Sequence, residues 1–361
     1  MKDARIQYAI YGALFGLAFP VIATLFDAFI RDMGFSLSEL IEVQRTQPLL
    51  WIIDTAPLFL GVFAALAGVR QQQVVEANTG LERKVAKRTE MLNEQNEELR
   101  TMQEELEDSL TRISQSINYA QRIQEAIISN TQELTDSFPD SFVIFKPRDV
   151  VSGDFPWYLK KGNYHFIAAV DCTGHGVPGA FMSLIGYFLL NRIVKENGVT
   201  DTAEILTKLH ESIVNVLNQS SDSDVHDGMD LALCRIDEET NEVMYSGAGN
   251  PVYHVSGNDL AEYKADYWSI GGTEYKRRGA YKSQTFSYKE GDAISMFSDG
   301  ITDQFAADGQ TKFGFKKIQK QLIDDNSKPM KEVGESFEKS ITGFMEGHRQ
   351  IDDMLLMGVR L

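Results

Sequence analysis

Cysteine is almost absent from this chain of 361 residues: only Cys172 and Cys234 occur, and neither sits in a Cys-x-x-Cys pair. That excludes a disulfide scaffold and any four-cysteine zinc site. Free thiols also suit a reducing compartment. An excess of positive charge is missing too. Thirty-five Lys and Arg face 52 Asp and Glu, a net −17, so the basic face that nucleic acid demands is not available and no nucleic-acid partner is expected. Proline is absent from Arg70 to Asn130, where Gly80 is the only glycine, and no histidine precedes His165.

What is present falls into three zones. Net charge is −2 over residues 1–69, −3 over 70–130 and −12 over 131–361. In the first zone, residues 8–30 are apolar apart from Asp27, and residues 49–69 are apolar apart from Asp54. Each run is about the 20 residues a helix needs to cross a hydrocarbon core. The basic front of Lys2 and Arg5 would also suit a signal peptide, but the first run is long for one and a second span follows soon after. Arg70, Arg83, Lys84, Lys87 and Arg88 follow the second run, whereas the connection between the runs carries Arg31 and Arg45. The positive-inside rule then places both termini on the cytoplasmic side of the membrane, in a two-span hairpin. Asp27 and Asp54 would lie near the outer face, where they either serve a function or reach interfacial water.

In the second zone apolar residues recur every seven positions: Val85, Leu92, Leu99, Leu106, Ile113, Ala120 and Ile127. The alternate seam is mixed, with Leu81, Arg88, Gln95 and Met102 and then Leu110 and Ile117. This pattern predicts a coiled coil over 70–130 and a homodimer through it, a single solvated helix being the plainer alternative. The run Leu99–Met102–Leu106–Leu110–Ile113 contains a stutter, which locally unwinds a supercoil. A membrane hairpin followed by a coil also suits a histidine kinase. That class needs a phosphoacceptor histidine on the helical bundle and a glycine-rich nucleotide lid, and neither is apparent.

The third zone changes period. Strand-like runs fall at 142–146, 164–171, 230–237, 242–248, 285–289, 293–299 and 353–361, and helical stretches at about 178–196, 202–219, 314–324 and 330–347. Strands grouped with pairs of helices predict an α+β sandwich. Carboxylates stand at the ends of these strands, mostly beside glycine: Asp154, Asp171, Asp299, and Asp352 with Asp353. Singly, each is a turn residue. Convergent, they would repel unless cations neutralised them. Oxygen-only ligation selects Mg2+ or Mn2+, and two such ions can activate water and clamp a phosphoryl group.

The segments VSGDF, AAVDCTGHGVPGAFMSLIG, DGMDLAL, GAGNP, FSDGITDQF and IDDMLLMGVRL, in that order, resemble the SpoIIE-type branch of the metal-dependent type 2C (PPM) serine/threonine phosphatases. SINYAQRIQEAI at 116–127 is similar to the helix that leads into such domains. The resemblance implies an α-β-β-α sandwich over 131–361. It also implies two Mn2+ or Mg2+ ions bridged by Asp171, one completed by Asp154 and the carbonyl of Cys172, the other by Asp299 and Asp352. An activated hydroxide would then attack phosphorus in line. The helix pair 178–196 and 202–219 would act as a switch. The implied substrate is a phosphorylated protein, an anti-sigma-factor antagonist of STAS type. Pro156, where relatives commonly carry an aromatic, and Leu355, where Thr is frequent, depart from the pattern without removing a ligand.

Other residues keep two readings. His175 is a ligand or acid, or shapes a tight loop. Cys172 is a nucleophile or strand-end packing. Arg148 holds substrate phosphate or forms a surface salt bridge. Residues 221–230 imitate a calcium loop but misplace its glycine, leaving Asp227 as a candidate for a third ion. The cluster Lys276-Arg277-Arg278 is a solvated turn or a dock for an acidic partner. A non-catalytic membrane scaffold with a phosphatase-like binding domain is the rival reading, and the four aspartates weaken it.

Overall fold

The structure, a computed structural model, describes residues 4–128, 131–220, 226–272 and 279–361. Lys2, the junction at 129–130, residues 221–225 of the acidic loop and Lys276-Arg277-Arg278 lie outside the described residues. The chain divides into two compact units, Met1–Asp108 and Ser109–Leu361.

The first unit is helical. Helix α1 (Ala4–Ile30) is followed by α2 (Leu37–Thr46), α3 (Pro48–Ile53) and the long α4 (Ala56–Ile128), which runs on into the second unit. The connection between the apolar runs is thus mostly α2 rather than loop. The second run is not one unbroken helix either: α3 ends at Ile53 and α4 starts at Ala56. Pro57 has no N–H to bond the carbonyl four residues back, so the ladder breaks there, and proline is tolerated because it falls in a first turn.

Helix α1 lies close against the start of α4. A Cβ on Gly12 would come within 2.5 Å of the Leu60 carbonyl oxygen, and one on Gly16 within 2.5 Å of Pro57 Cα. This Gly-x-x-x-Gly face lets two backbones approach, as in membrane helix pairs. Ala28, Val43 and Leu50 form a small buried cluster beside it. Both aspartates of the hairpin have partners. Asp27 pairs with Arg31 at 3.1 Å, and Asp54 accepts from the Gln44 amide, whose oxygen accepts from Thr24 Oγ1 at 2.6 Å.

Along α4 the heptad residues Val85, Leu92, Leu99, Leu106 and Ile113 are all exposed. Among the described residues, three helical stretches are long and apolar enough to cross a membrane: Ala4–Ile30, the run from Pro48, and Gly176–Glu196. The third packs within the second unit, where half of its apolar window is buried.

The second unit contains α5 (Thr131–Ser137), β1 (Ser141–Lys146), β2 (Phe155–Lys161), β3 (Tyr164–Cys172) and α6 (Gly176–Asn191), which ends in a π-helical turn at Arg192–Glu196. Then follow α7 (Thr202–Val216), β4 (Gly228–Asp237), β5 (Glu242–Ala248), β6 (Val252–Ser256), β7 (Asp259–Tyr263), β8 (Ile270–Gly271), β9 (Gln284–Ser287) and β10 (Ala293–Phe297). The short α8 (Asp299–Thr302), α9 (Phe315–Asp324), α10 (Met330–Phe344) and β11 (Met354–Arg360) complete it.

The strands form two sheets, β1-β11-β10-β6-β7 and β2-β3-β4-β5-β9, with the pair β8 added to β4. Side chains alternate between faces along a strand, so each sheet buries both. On β3, Phe166, Ala168 and Val170 meet α6 and α7, while Ile167 and Ala169 point between the sheets. On β11, Leu355, Met357 and Val359 fill the space between the sheets, while Met354 and Leu356 pack under α9 and α10. Four layers, α-β-β-α, result. Leu355, in the position where Thr is frequent, is a fully buried residue of the central layer.

Strands β2, β6, β7 and the two-residue β8 were not expected from sequence pattern. Pro156 interrupts what would read as a strand in FPWYLKK, yet β2 lies at the edge of its sheet, where proline is allowed.

Candidate functional site

The strand ends carry the acidic residues to one rim of the sandwich. Asp171 is the penultimate residue of β3, and Asp154 immediately precedes β2, which pairs with β3 from Phe155↔Val170 onward. Asp299 opens α8, just after β10, and its backbone N–H donates to Asp171 Oδ2 at 3.1 Å. Gly300 is pressed against β11's approach: a Cβ there would lie 1.9 Å from the Asp353 carbonyl oxygen and 3.4 Å from Asp352 Cβ. So Asp154, Asp171, Asp299 and Asp352, distant in sequence, are brought into one electrostatic group.

Their acidity records that grouping. Burial pushes the Asp154 pKa well above the ordinary carboxylate range, and the Asp171 charge adds to it. Burial does the same at Asp171, followed by the charge of Asp299. Asp299 is raised by burial and then by Asp352. Asp154 is 3 % exposed, and its Oδ2 is buried with no hydrogen-bond partner. An unpartnered buried carboxylate oxygen facing like charges is costly unless a cation arrives.

The chemistry of this oxygen-rich set fits a hard divalent ion. Among the described residues, however, no group of three or more His, Cys, Asp or Glu side chains is gathered as a ready metal cage. Octahedral Mg2+ and Mn2+ keep several waters, so a sparse protein ligand set is compatible with them.

Two further carboxylates take roles that the sequence reading did not assign. Asp353, adjacent to the expected ligand, is 2 % exposed and turned to the main chain: its Oδ1 accepts the Arg148 N–H at 2.7 Å and its Oδ2 the Gly153 N–H at 2.8 Å. It ties the loop before Asp154 to β11. The neighbouring carboxylates therefore have different tasks. Asp230 pairs directly with Asp171 across β3 and β4. It adds its charge to Asp171 and Asp299, burial raises its own pKa, and its Oδ1 is buried without a partner. Its only signal in the sequence was a place in DGMDLAL at a strand start.

Glycines shape the cradle. Gly174 and Gly176 adopt φ of +82° and +65°, a region that disfavours side chains, and turn the chain into α6. A Cβ on Gly153 would fall 2.5 Å from the Gly174 carbonyl oxygen and 3.1 Å from that of Cys172, so the Cys172 carbonyl stands beside the Asp154 loop. The Cys172 side chain is buried, and burial followed by the Asp154 charge drives its thiol pKa well up, the opposite of an activated nucleophile.

His175 Nδ1 lies 2.6 Å from Asp149 Oδ2, joining the 149 turn to the start of α6. Arg148 is exposed and, among the described residues, forms no ion pair. Asp227 follows the undescribed stretch, and its carbonyl accepts from Gln219 Nε2 at 2.6 Å.

The end of α4 reaches the same loop. Gln124, 8 % exposed, donates to the Ser152 carbonyl at 2.6 Å and to Ser183 Oγ at 2.8 Å, and its Oε1 accepts the Ser152 N–H at 3.1 Å. A cavity of about 180 Å³, lined by Gln124, Ile128, Asp154 and Pro156 among others, adjoins this junction.

Two stacked antiparallel sheets flanked by helix pairs, with aspartates gathered at one rim, define a PP2C-type phosphatase fold. The family model of Stage II sporulation protein E (SpoIIE) matches residues 161–361, more than half of the chain, and the chain belongs to that family. The SiaA-PP2C domain of Pseudomonas aeruginosa is 28% identical, with a TM-score of 0.64 over 70% of this chain and 98% of that one. The PP2C phosphatase domain of Bacillus subtilis SpoIIE, with a fragment of its regulatory domain, shares the fold at 18% identity and a TM-score of 0.50, over 61% of this chain and 62% of that one. The RsbU and RsbW domains of a Mycobacterium tuberculosis protein do so at 16% identity and a TM-score of 0.50, over 61% and 59%. No curated protein matches the chain.

Proposed function

We propose that this protein is a membrane-anchored, metal-dependent phosphatase that hydrolyses phosphoserine or phosphothreonine on a signalling protein. The observation that carries the reading is the group of aspartates Asp154, Asp171, Asp299 and Asp352, gathered closely enough at one rim of a PP2C-type sandwich for their charges to act on Asp154, Asp171 and Asp299. Asp171 would be shared between two ions, Asp154 and the Cys172 carbonyl would serve one, and Asp299 and Asp352 the other. Mn2+ or Mg2+, when bound, supplies the positive charge that activates water and neutralises phosphoryl oxygens. The chain's own part is positional. Asp353 fixes the Gly153 N–H and so the backbone before Asp154, and the Asp299 N–H holds one oxygen of Asp171. The exposed Arg148 is free to meet a phosphate.

The organisation that accompanies this reading is a hairpin at 1–69, a dimeric coiled-coil linker at 70–130 and a phosphatase domain at 131–361, with both termini cytoplasmic. The exposed heptad stripe supports a second copy as its partner. Replacing Leu99 and Leu106 by Asn should halve the mass of the detergent-solubilised particle in light scattering. A phosphorylated STAS-type anti-sigma-factor antagonist is the substrate the family resemblance favours.

The test uses the full chain in detergent, wild type and Asp171→Asn, with phosphate release from a phosphoserine peptide followed in Mn2+ and in EDTA. Release that needs Mn2+ and falls at least a hundredfold in the variant is expected. No release from wild type, or equal release from both, overturns the reading and leaves a scaffold.

A further inference from the structure

A second concavity opens beside the carboxylate group. It has a volume of about 470 Å³ and is lined by Gly249, Pro251, Lys264, Phe315, Lys316 and Gln319, among others. The groove runs between the loop after β5, the end of β7 and the first turn of α9. Its nearness to the site is fixed by Gly249, whose φ is +75° and where a Cβ would fall 2.2 Å from Asp230 Oδ2. Asp230 in turn is the cross-strand partner of Asp171. One wall of the groove is therefore the backbone that covers the acidic group.

The lining is unusual for this protein. Residues 131–361 carry a net −12, yet two lysines stand at the groove, and among the described residues neither ammonium has an ion-pair partner. Glu262 is the carboxylate among the described residues that line the groove, and Gln319 approaches it at 3.5 Å. Phe315 adds a half-exposed ring whose face is tilted over Phe297, itself stacked on Tyr253. Gln319 also donates to the Tyr253 hydroxyl at 3.3 Å, which fixes α9 to β6 and gives the groove a rigid floor. Uncommitted cations around an apolar anchor, on a domain that otherwise repels anions, are complementary to an acidic segment carrying an apolar residue.

We propose that this groove docks an acidic stretch of the phosphoprotein substrate, next to its phosphorylated residue, with Lys264 and Lys316 pairing its carboxylates and Phe315 receiving an apolar side chain. The assignment rests on the phosphatase reading above and adds the chemistry by which the substrate is chosen. Lys264 and Lys316 touch no reacting atom. They act on capture of the protein substrate rather than on the chemical step.

The experiment compares the full chain in detergent with Mn2+, wild type against Lys264→Glu/Lys316→Glu, on three substrates: p-nitrophenyl phosphate, a phosphoserine peptide with Asp and Glu flanks, and the same peptide with neutral flanks. Both lysines are at the surface, so the double variant should fold, and unchanged hydrolysis of p-nitrophenyl phosphate verifies it. Kcat/KM for the acidic peptide should fall about tenfold through KM, as expected when two exposed pairs become two repulsions, and the neutral peptide should change less than twofold. The loss should shrink at high salt. Equal effects on both peptides, or none on the acidic one, overturn the groove. If wild type hydrolyses none of the three, the phosphatase reading has failed. The docking claim is then decided by fluorescence anisotropy of the labelled acidic peptide in EDTA, where charge reversal must still weaken binding.

Discussion

Replacing Asp171 by Asn should stabilise the metal-free protein while removing its response to divalent cations. Asp171 stands among the charges of Asp299, Asp230 and Asp352, and burial already raises its pKa well above the usual range. Two carboxylates roughly 5 Å apart repel by about 3 kcal/mol at an effective dielectric near 20. Partial protonation relieves much of this, so removing one charge should return about 1–2 kcal/mol. Asn keeps an acceptor for the Asp299 N–H, so the 3.1 Å bond survives. In a unit of about 250 residues each kcal/mol moves Tm by roughly 2–4 °C, and the variant in EDTA should melt about 2–8 °C higher.

The pH dependence follows from the same shift. A carboxylate with a raised folded pKa holds its proton more tightly when folded. Its contribution is present below the unfolded pKa of about 4 and is lost as pH rises through the folded value. Between pH 5 and 8 in EDTA, wild type should therefore lose stability faster than Asp171→Asn. Mn2+ at a hundred times its Kd should add about 2.7 kcal/mol to wild type and far less to the variant. Thermal melts at three pH values, with and without Mn2+, check all of this. A variant that melts lower than wild type in EDTA, or gains as much from Mn2+, refutes the reasoning.

Two further outcomes are expected. Gly300→Ala would place a methyl 1.9 Å from the Asp353 carbonyl oxygen, so α8 must move and carry Asp299 with it; phosphate release should fall at least tenfold and Mn2+ affinity with it, measured by calorimetry. Gln124→Ala strands the buried N–H of Ser152 and leaves its carbonyl only the 3.3 Å bond from Ser183 Oγ, a loss of about 1–3 kcal/mol by the usual cost of an unmet buried group, visible as a lower Tm in EDTA.

The layers of the sandwich were legible wherever one strand faced two cores. β3, β4 and β11 are apolar runs bounded by turns, and their alternation separates cleanly into inner and outer faces. The helices fell within a few residues of their expected ends because Asp201, whose side chain accepts the Glu204 N–H, caps α7 and glycines turn the chain into α6 and α9. Two edge strands were hidden by composition, β2 by its proline and β7 by polar residues that face solvent, while the interior, buried β6 was hidden by being only five residues long. In the candidate site, aspartates beside glycine advertised themselves. Asp230 did not, because its place depends on cross-strand register; Asp353 was visible at its strand end, but its task was not, because it binds main-chain N–H groups that come from 200 or more residues away. The Gly12–Gly16 spacing was on view, but its meaning depended on which helix lay opposite.

The proline in β2 has one more effect. Exposed sheet rims invite other chains to add a strand, and β2 is such a rim, with β1 at the rim of the other sheet. Pro156 offers no N–H, and Lys160 and Lys161 close the strand with charge. A stranger's backbone therefore meets a broken ladder in place of a row of donors. Crowded copies, or a nascent chain not yet folded, are steered away from fusing their sheets, which leaves helix faces as the safer route by which copies of this protein can meet.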